Sequence, residues 1–228
     1  MMPGHRPGEE NTMKRGTILT GLAALVLTGL ILLAGAPTVT PGTGLPYIFV
    51  DGAGGCYLTC PEGDGDGLAE IGAVITVTVA DITGAPIVGI PASDYWLIGC
   101  EDNIVLCAGS AAINADSASN SDGVTTISGR LAAGGCDNSL VVVVQGLVAD
   151  DPPGSGAWLC LPYDTKSPDI TGDGGVVDLV VDIIDLAAFA MGYTSPPRVY
   201  DTCFDFNCDG TVGLIDFAIF AQHFLHWC

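Results

Sequence analysis

The sequence has little positive charge. Its 228 residues include 6 lysines and arginines against 26 aspartates and glutamates, for a formal net charge of −20 at pH 7. A surface of this sign repels nucleic acids and anionic membranes and attracts divalent cations, so neither polyanion is an expected partner. Charged residues nevertheless make up only 14% of the chain, and hydrophobic residues make up 49%. This balance excludes an acidic disordered tail and predicts an ordered protein.

Histidine is scarce as well, with three in the chain, of which only His223 and His226 follow residue 36. The sequence has no G-x-S-x-G elbow, Cys/His dyad signature, phosphate loop or dinucleotide fingerprint. No catalytic residues are predicted, and an enzyme is not expected. His223 and His226, spaced i, i+3 with Cys228 beyond them, could form a metal site, but we interpret them as surface or helix-end residues.

Aromatic residues are few, at 7% of the chain. Trp96, Trp158 and Trp227 could line a sugar-binding face together with tyrosines. They do not cluster at strand spacing, so packing in the core or on turns is the favoured interpretation. A carbohydrate-binding module remains an alternative function.

A long apolar run near the start follows the basic pair Lys14-Arg15 and ends in the small residues of Ala34-Gly35-Ala36. This order is typical of a secretory signal. The run is also long enough to span a bilayer, so an uncleaved anchor stays open. We therefore expect residues 1–36 to be an N-terminal extension with a signal or anchor, and the protein to be secreted, extracellular or at the cell surface.

Nine cysteines all lie after residue 36. In an exported chain this number predicts disulfides. Short spacing favours the pairs Cys56–Cys60 and Cys100–Cys107, while Cys208 and Cys228 are candidates to close the C-terminal region. The odd count leaves one thiol free or bonded to another chain. Zinc is the alternative for clustered cysteines, but the spacings lack a paired C-x-x-C.

Residues 205–216 read Asp-Phe-Asn-Cys-Asp-Gly-Thr-Val-Gly-Leu-Ile-Asp, which has the spacing of an EF-hand calcium loop. Ca²⁺ takes six to eight hard oxygen ligands, and this spacing wraps them around one point. Gly210 takes the sharp turn at position 6. The predicted ligands are Asp205, Asn207, Asp209, Asp216 and the backbone carbonyl of Thr211.

An altered copy of this unit lies upstream, because residues 184–190 match residues 215–221 at an offset of 31 whereas the two loop starts differ by 36. The first loop therefore carries five extra residues. Position 12 by simple counting is Val180, which cannot bind calcium. Closure must come from Asp182 or Asp185 after a bulge, and the helix alignment favours Asp185. The predicted ligands of this loop are Asp169, Thr171, Asp173, Gly175, Asp182 and Asp185.

Two loop–helix units joined by residues 192–197 resemble the dockerin domain of secreted bacterial proteins, over Ser167 to about Trp227. The resemblance implies two calcium sites, a small α-helical domain at residues 166–228, and a protein partner such as a cohesin. The sequence departs from the family at Thr171, which replaces Asn or Asp, and in the length of the first loop.

Residues 37–165 predict a single β domain. Ile75–Val79 alternates at period two, 139–145 is a buried-strand run, and further strands are expected near 47–50, 95–98, 124–131 and 157–161. Six to eight short strands suggest an antiparallel sandwich. Residues 75–90 and 121–127 resemble bacterial Ig-like domains of the invasin/intimin type, which implies a non-catalytic spacer, adhesin or assembly unit.

These observations together predict a mainly β protein in which an Ig-like sandwich precedes a dockerin-like domain. The expected function is that of an exported, non-catalytic calcium-binding protein, in which calcium orders a module for protein–protein assembly. The first alternative is a subunit that self-assembles into a homo-oligomer, extracellular filament or surface layer. Residues 45–50 would then be available as a donor strand for a neighbouring subunit.

Overall fold

The structure is a computed structural model that describes residues 47–101, 103–108, 114–151, 155–172, 176–194 and 201–228. These residues all belong to one compact unit, Gly35–Cys228. The predicted signal or anchor at residues 1–36 lies outside the described residues. Within the described ranges, no helix has the length and apolar character needed to cross a membrane.

The described residues contain ten strands and two α-helices. The strands are β1 (Tyr47–Asp51), β2 (Gly55–Leu58), β3 (Ile75–Ala80), β4 (Tyr95–Gly99), β5 (Ile104–Leu106), β6 (Val124–Ile127), β7 (Ala133–Asp137), β8 (Leu140–Val144), β9 (Leu147–Val148) and β10 (Tyr163–Lys166). The helices are α1 (Ile183–Thr194) and α2 (Leu214–Gln222). The prediction of a mainly β protein is confirmed.

The strands form three sheets, with orders β1-β3-β6, β2-β10-β7-β5 and β4-β8-β9. All pairs are antiparallel except β2 and β10, which run parallel with Tyr163 opposite Gly55. The purely antiparallel arrangement expected from the sequence is wrong for this pair. A parallel pair needs a long crossover, and here the chain between β2 and β10 includes most of the other strands.

The core follows from side-chain alternation and from one fully apolar strand. In β3, Ile75, Val77 and Val79 are fully buried, whereas the threonines between them are half-buried. All five residues of β8 are buried, as the apolar run at 139–145 predicted. Tyr163 of β10 completes this core and donates its hydroxyl to the carbonyl of Ala73 at 2.9 Å.

The segment that resembles Ig-like domains begins as a strand and a tight turn. After β3, the carboxylate of Asp81 accepts hydrogen bonds from the backbone N–H groups of Thr83 and Ala85. The chain then returns beside β3 through a single bridge between Ala80 and Pro86. Strand β1, expected as a donor for a neighbouring subunit, instead pairs with β3 of its own chain along all five of its residues.

Helices α1 and α2 pack through a cluster of aromatic rings centred on Phe189. The Phe189 ring is buried, and its centroid lies 5.8–6.4 Å from those of five other rings. The five are Tyr193, Phe204, Phe206, Phe217 and Phe220. The apolar helices predicted near 184–190 and 215–221 are thus confirmed, and they share a core of their own.

Four disulfides join distant parts of the chain, namely Cys56–Cys208, Cys100–Cys160, Cys107–Cys228 and Cys136–Cys203. The pairings expected from short spacing were wrong. All four candidate cysteines are bonded, but Cys100 pairs with Cys160, Cys107 with Cys228 and Cys208 with Cys56. Cys60 is the free thiol that the odd count required. Four bonds of this kind indicate an oxidising compartment.

Three of these bonds tie residues 166–228 to the β region. The predicted boundary at residue 165 therefore does not mark two independent bodies among the described residues. Disulfides between residues 67 to 152 positions apart remove much of the entropy of the unfolded chain. These disulfides hold the region of the C-terminal helices against the sheets without the help of a metal.

Candidate functional site

In the second loop, the predicted ligand side chains turn toward the loop's own backbone. Asp205 is buried, and its two carboxylate oxygens accept hydrogen bonds from the N–H groups of Asp209 and Gly210 at 3.1 and 2.9 Å. Asn207 Oδ1 also accepts from the Asp209 N–H at 3.1 Å. Gly210 has φ of +85°, which is the left-handed turn expected at position 6.

The loop is closed by Asp216, which is 1% exposed. One of its oxygens accepts from the backbone N–H of Asn207, at loop position 3, at 3.3 Å. The other accepts from the N–H of Gly213, which precedes α2, at 2.7 Å. Asp216 thus caps the helix and faces the loop at once, which is the position that a twelfth-residue ligand must take.

Asp209 is the exposed carboxylate among the predicted ligands of the second loop. Its Oδ1 accepts from both the backbone N–H and the hydroxyl of Thr211, at 2.9 and 2.6 Å. Mainly because of the hydroxyl, and with help from the Asn207 amide, the pKa of Asp209 lies below its ordinary value. This carboxylate is therefore ionised at neutral pH, as a calcium ligand must be.

The first loop repeats this arrangement with Asp185 in the closing position. Asp185 is fully buried, and its Oδ1 accepts from the N–H groups of Ile170 and Thr171 at 2.7 and 2.8 Å. Its Oδ2 accepts from the N–H of Asp182, three residues earlier, at 2.8 Å. Loop position 3 and the residue three before the carboxylate are the same two donors that hold Asp216.

The remaining first-loop residues separate into three groups. The Asp182 carboxylate accepts from the N–H of Ile184 at 2.7 Å and so caps α1, whereas Asp185 takes the place that Asp216 has in the second loop. Asp173 and Gly175 lie outside the described residues. Asp178, which the sequence analysis did not propose as a ligand, lies close enough to Asp169 to raise its pKa. Its presence within the five-residue insertion was the available signal.

Asp169 is a buried carboxylate whose pKa is strongly raised. It is fully buried, and its pKa rises to about 7 through burial first, then through the charges of Asp185 and Asp178. Burial likewise raises the pKa of Asp185, although three backbone N–H groups oppose the shift. Two buried carboxylates this close repel each other when both are ionised, unless a cation lies between them.

The surroundings of Asp169 fit a calcium ion. Its Oδ2 accepts from the N–H of Leu179 at 2.9 Å, whereas its Oδ1 is buried with no hydrogen-bond partner among the described residues. The two basic side chains of the described part are engaged elsewhere, Arg130 with Glu70 and Lys166 with Asp164. A buried carboxylate oxygen without a partner is costly, and a hard divalent cation is the ligand that suits it.

Residues 179–181, within the longer part of the first loop, pair with residues 225–228. Val180 and Trp227 form an antiparallel bridge. Val181 donates to the carbonyl of His226 at 2.9 Å and accepts from the N–H of Leu225 at 2.8 Å. The insertion thus has a structural purpose, since it adds a short strand-like edge that holds the C-terminal tail.

The first loop also rests directly on the sheet. The backbone N–H of Gly135 in β7 donates to the carbonyl of Asp169 at 2.8 Å. A Cβ at Gly134 would overlap the Asp169 carboxylate and contact Val177. Glycine at position 134 is therefore required for the loop to approach the strand this closely.

Of the two C-terminal histidines, His223 lies at the end of α2, as one of the two expected placements, and it is buried at 6% exposure. Their suggested companion Cys228 is bonded to Cys107 and cannot join them in a site. The tail folds back because residues 225–228 pair with the insertion of the first loop, a contact that local spacing does not reveal.

An apolar groove of about 250 Å³ lies between α1 and α2. Its lining is formed by Leu186, Phe189, Ala190, Tyr193, Leu214 and Phe217. Two of these lining side chains are largely exposed, Leu214 at 75% and Phe217 at 45%. Comparison with family models, curated proteins and solved structures finds no match for this chain.

Proposed function

We propose that this chain is an exported, non-catalytic calcium-binding protein whose two loops form a dockerin-like module for protein–protein assembly. The single observation that carries the proposal is the shared frame of Asp185 and Asp216. Each is buried at the start of its helix and accepts hydrogen bonds from loop position 3 and from the residue three before it. Two separate stretches of sequence thus build loops that are closed by the same hydrogen-bonding arrangement.

Calcium would act on stability more than on shape. The disulfides Cys56–Cys208 and Cys136–Cys203 hold the second loop against β2 and β7 with or without a metal. Ca²⁺ would neutralise the buried carboxylates Asp169 and Asp185 in the first loop, which otherwise repel each other. A ligand that binds only the folded state stabilises it by about 2.7 kcal/mol at a hundred times its Kd.

The assembly role rests on the apolar groove between α1 and α2. Its lining includes the exposed side chains of Leu214 and Phe217, and Tyr193 is the one lining residue with a polar group in its side chain. Apolar surface beside a packed helix pair is the kind of surface that a protein partner covers. A cohesin-like receptor and a second copy of this chain are the two occupants of interest. The Ig-like β region would serve as the spacer.

The test is a calcium titration of the refolded, disulfide-intact chain, followed by calorimetry and thermal unfolding with calcium or with EDTA. We expect calcium to raise the Tm, and we expect Asp185→Asn and Asp216→Asn each to remove part of that rise. Asp122→Asn is the matched control, because Asp122 is an exposed aspartate in a turn before β6. An unchanged Tm on adding EDTA would contradict the proposal.

The two kinds of partner are separated by light scattering of the same sample. Calcium-dependent dimers or longer assemblies, lost in Leu214→Ser, would favour self-association. Monomers at high concentration with calcium bound would favour a separate receptor. Ser is used at position 214 because the side chain is 75% exposed there, so folding is not expected to suffer.

A further inference from the structure

Four ligand-type side chains from two distant segments meet away from the calcium loops. They are Cys60, Asp64, His223 and His226, whose ligand atoms all lie within 4.8 Å of one another. His226 Nδ1 lies 3.4 Å from Cys60 Sγ, 3.4 Å from His223 Nδ1 and 3.3 Å from Asp64 Oδ2. His223 Nδ1 lies 3.3 Å from Asp64 Oδ1. Both imidazoles thus turn the same nitrogen toward one point.

We propose that these four residues form a structural zinc site. With Zn–N distances of about 2.0–2.1 Å and a Zn–S distance of about 2.3 Å, tetrahedral ligand atoms lie about 3.3–3.6 Å apart. Four separations, at 3.3 and 3.4 Å, match this spacing, with the two from the histidines to Asp64 made to different oxygens of its carboxylate. All four ligand atoms lie within 4.8 Å of one another. Hydrogen bonding alone explains the cluster poorly, because two imidazole nitrogens, two carboxylate oxygens and one sulfur crowd together with few protons to share.

The ligand set selects the metal. A thiolate with two imidazoles suits zinc and other borderline-soft ions, and it does not suit Ca²⁺ or Mg²⁺, which prefer all-oxygen sites. Four protein ligands also fill a tetrahedral shell, as in structural rather than catalytic zinc sites. Zinc undergoes no redox chemistry, which is appropriate beside a thiol in an oxidising compartment. On binding, the Cys60 proton leaves to solvent.

Cys60 is the cysteine that forms no disulfide. Eight of the nine are joined in four disulfides, whereas Cys60 is free and fully buried. Next to its sulfur lie two imidazoles and a carboxylate. A zinc ion would account for a reduced cysteine in this protein, because coordination protects the thiol from oxidation.

The backbone presets both halves of the site. Cys60 and Asp64 lie in the turn after β2, where the Gly63 N–H donates to the Cys60 carbonyl at 2.8 Å. His223 ends α2, and His226 is held by the hydrogen bond from Val181. Glu62 Oε2 lies 3.9 Å from the outer nitrogen of His226, in the place of the carboxylate that commonly supports a zinc-bound histidine.

The zinc ion would fasten the end of α2 to the turn after β2, through residues that the calcium loops do not use. The proposal therefore stands or falls independently of the calcium function. The experiment uses the full disulfide-intact chain with calcium present, stripped of other metals, and titrated with Zn²⁺ and with Co²⁺ as a spectroscopic probe.

We expect a single tight site. Bound Co²⁺ should give a thiolate-to-metal charge-transfer band and the intense visible absorption of tetrahedral geometry. Cys60→Ser should abolish the charge-transfer band, and His223→Ala should weaken Zn²⁺ binding at least about 100-fold. Glu62→Gln should keep the band and weaken binding about 10–100-fold. Asp122→Asn, the exposed control, should change neither.

A measurement on the unmodified protein guards against variants that fail to fold. Zn²⁺ should slow alkylation of Cys60, read by mass spectrometry, whereas Ca²⁺ should not. Tight Zn²⁺ binding that survives Cys60→Ser and His223→Ala, or Co²⁺ spectra without a thiolate band, would overturn the site.

Discussion

Asp169 gives the calcium-free protein a dependence of stability on pH that Asp169→Asn should remove. In the folded chain its carboxylate is fully buried beside Asp185 and Asp178, and its pKa is about 7 in place of 3.8. The unfolded chain has the ordinary value. Between these two pH values the folded state therefore holds a proton that the unfolded state has released.

The sign follows from the difference in bound protons. Because the folded state binds more protons, the free energy of unfolding falls as the pH rises from about 4 to about 7, and it is constant above that range. One pH unit of difference in pKa corresponds to about 1.36 kcal/mol, so the full effect of a pKa displaced from 3.8 to about 7 is about 4 kcal/mol. The raised pKa of Asp185 acts in the same direction.

The assay is urea unfolding of wild type and Asp169→Asn in excess EDTA at several pH values from 4 to 8. Other titrating groups are shared by the two proteins, so their contributions cancel in the difference. We expect Asp169→Asn to gain on wild type as the pH rises, by at most about 4 kcal/mol near pH 7.5. Excess calcium should remove this advantage, since the cation replaces the proton on wild-type Asp169. A difference that stays constant with pH would refute the reasoning.

Two further changes test how the calcium module is held. Phe189→Ala removes the ring at the centre of the aromatic cluster and should cost about 3–5 kcal/mol of unfolding free energy. Phe49→Ala, at a ring 50% exposed on β1, should cost far less. Equal losses of unfolding free energy in denaturant melts would contradict the packing. Replacing both Cys56 and Cys208 by Ser should lower stability by about 2–4 kcal/mol and weaken calcium binding at the second loop. Replacing Cys100 and Cys160 by Ser should lower stability without weakening calcium binding in calorimetry. If both double variants lose the same calcium affinity, the Cys56–Cys208 bond does not position the second loop.

The strands that the sequence revealed are those with a strong local pattern. The alternation of Ile75–Val79 and the apolar run of β8 each determine a strand without help from distant residues. Strand β7 has the sequence Ala-Gly-Gly-Cys-Asp, which has little intrinsic preference for a strand. It forms because β5 and β10 pair with its two edges. In addition, Gly134 leaves room for the loop that begins at Asp169 to lie against it.

The sequence predicted most of the two candidate calcium loops because an EF-hand loop is defined within a short stretch of chain. Positions 1, 3, 5, 6 and 12 lie within twelve residues, so their spacing alone predicts where Asp205 and Asp216 must point. The internal repeat identified Asp185 as the counterpart of Asp216, and the hydrogen bonds place it there. Calcium binding itself stays a prediction that the titration addresses.

Tertiary structure decided what joins segments far apart in the chain. Short spacing suggested Cys100–Cys107, but the actual partners of these two residues lie 60 and 121 residues away. In the cluster of Cys60, Asp64, His223 and His226, the sequence marks only the i, i+3 histidine pair, because the other two residues come from the opposite end of the described chain. The sequence by itself determined the two loops, their helices and the strongest strands, since these depend on neighbours. Disulfide connectivity, the pairing of β7 and the proposed zinc site depend on how the chain folds back on itself, which local pattern does not encode.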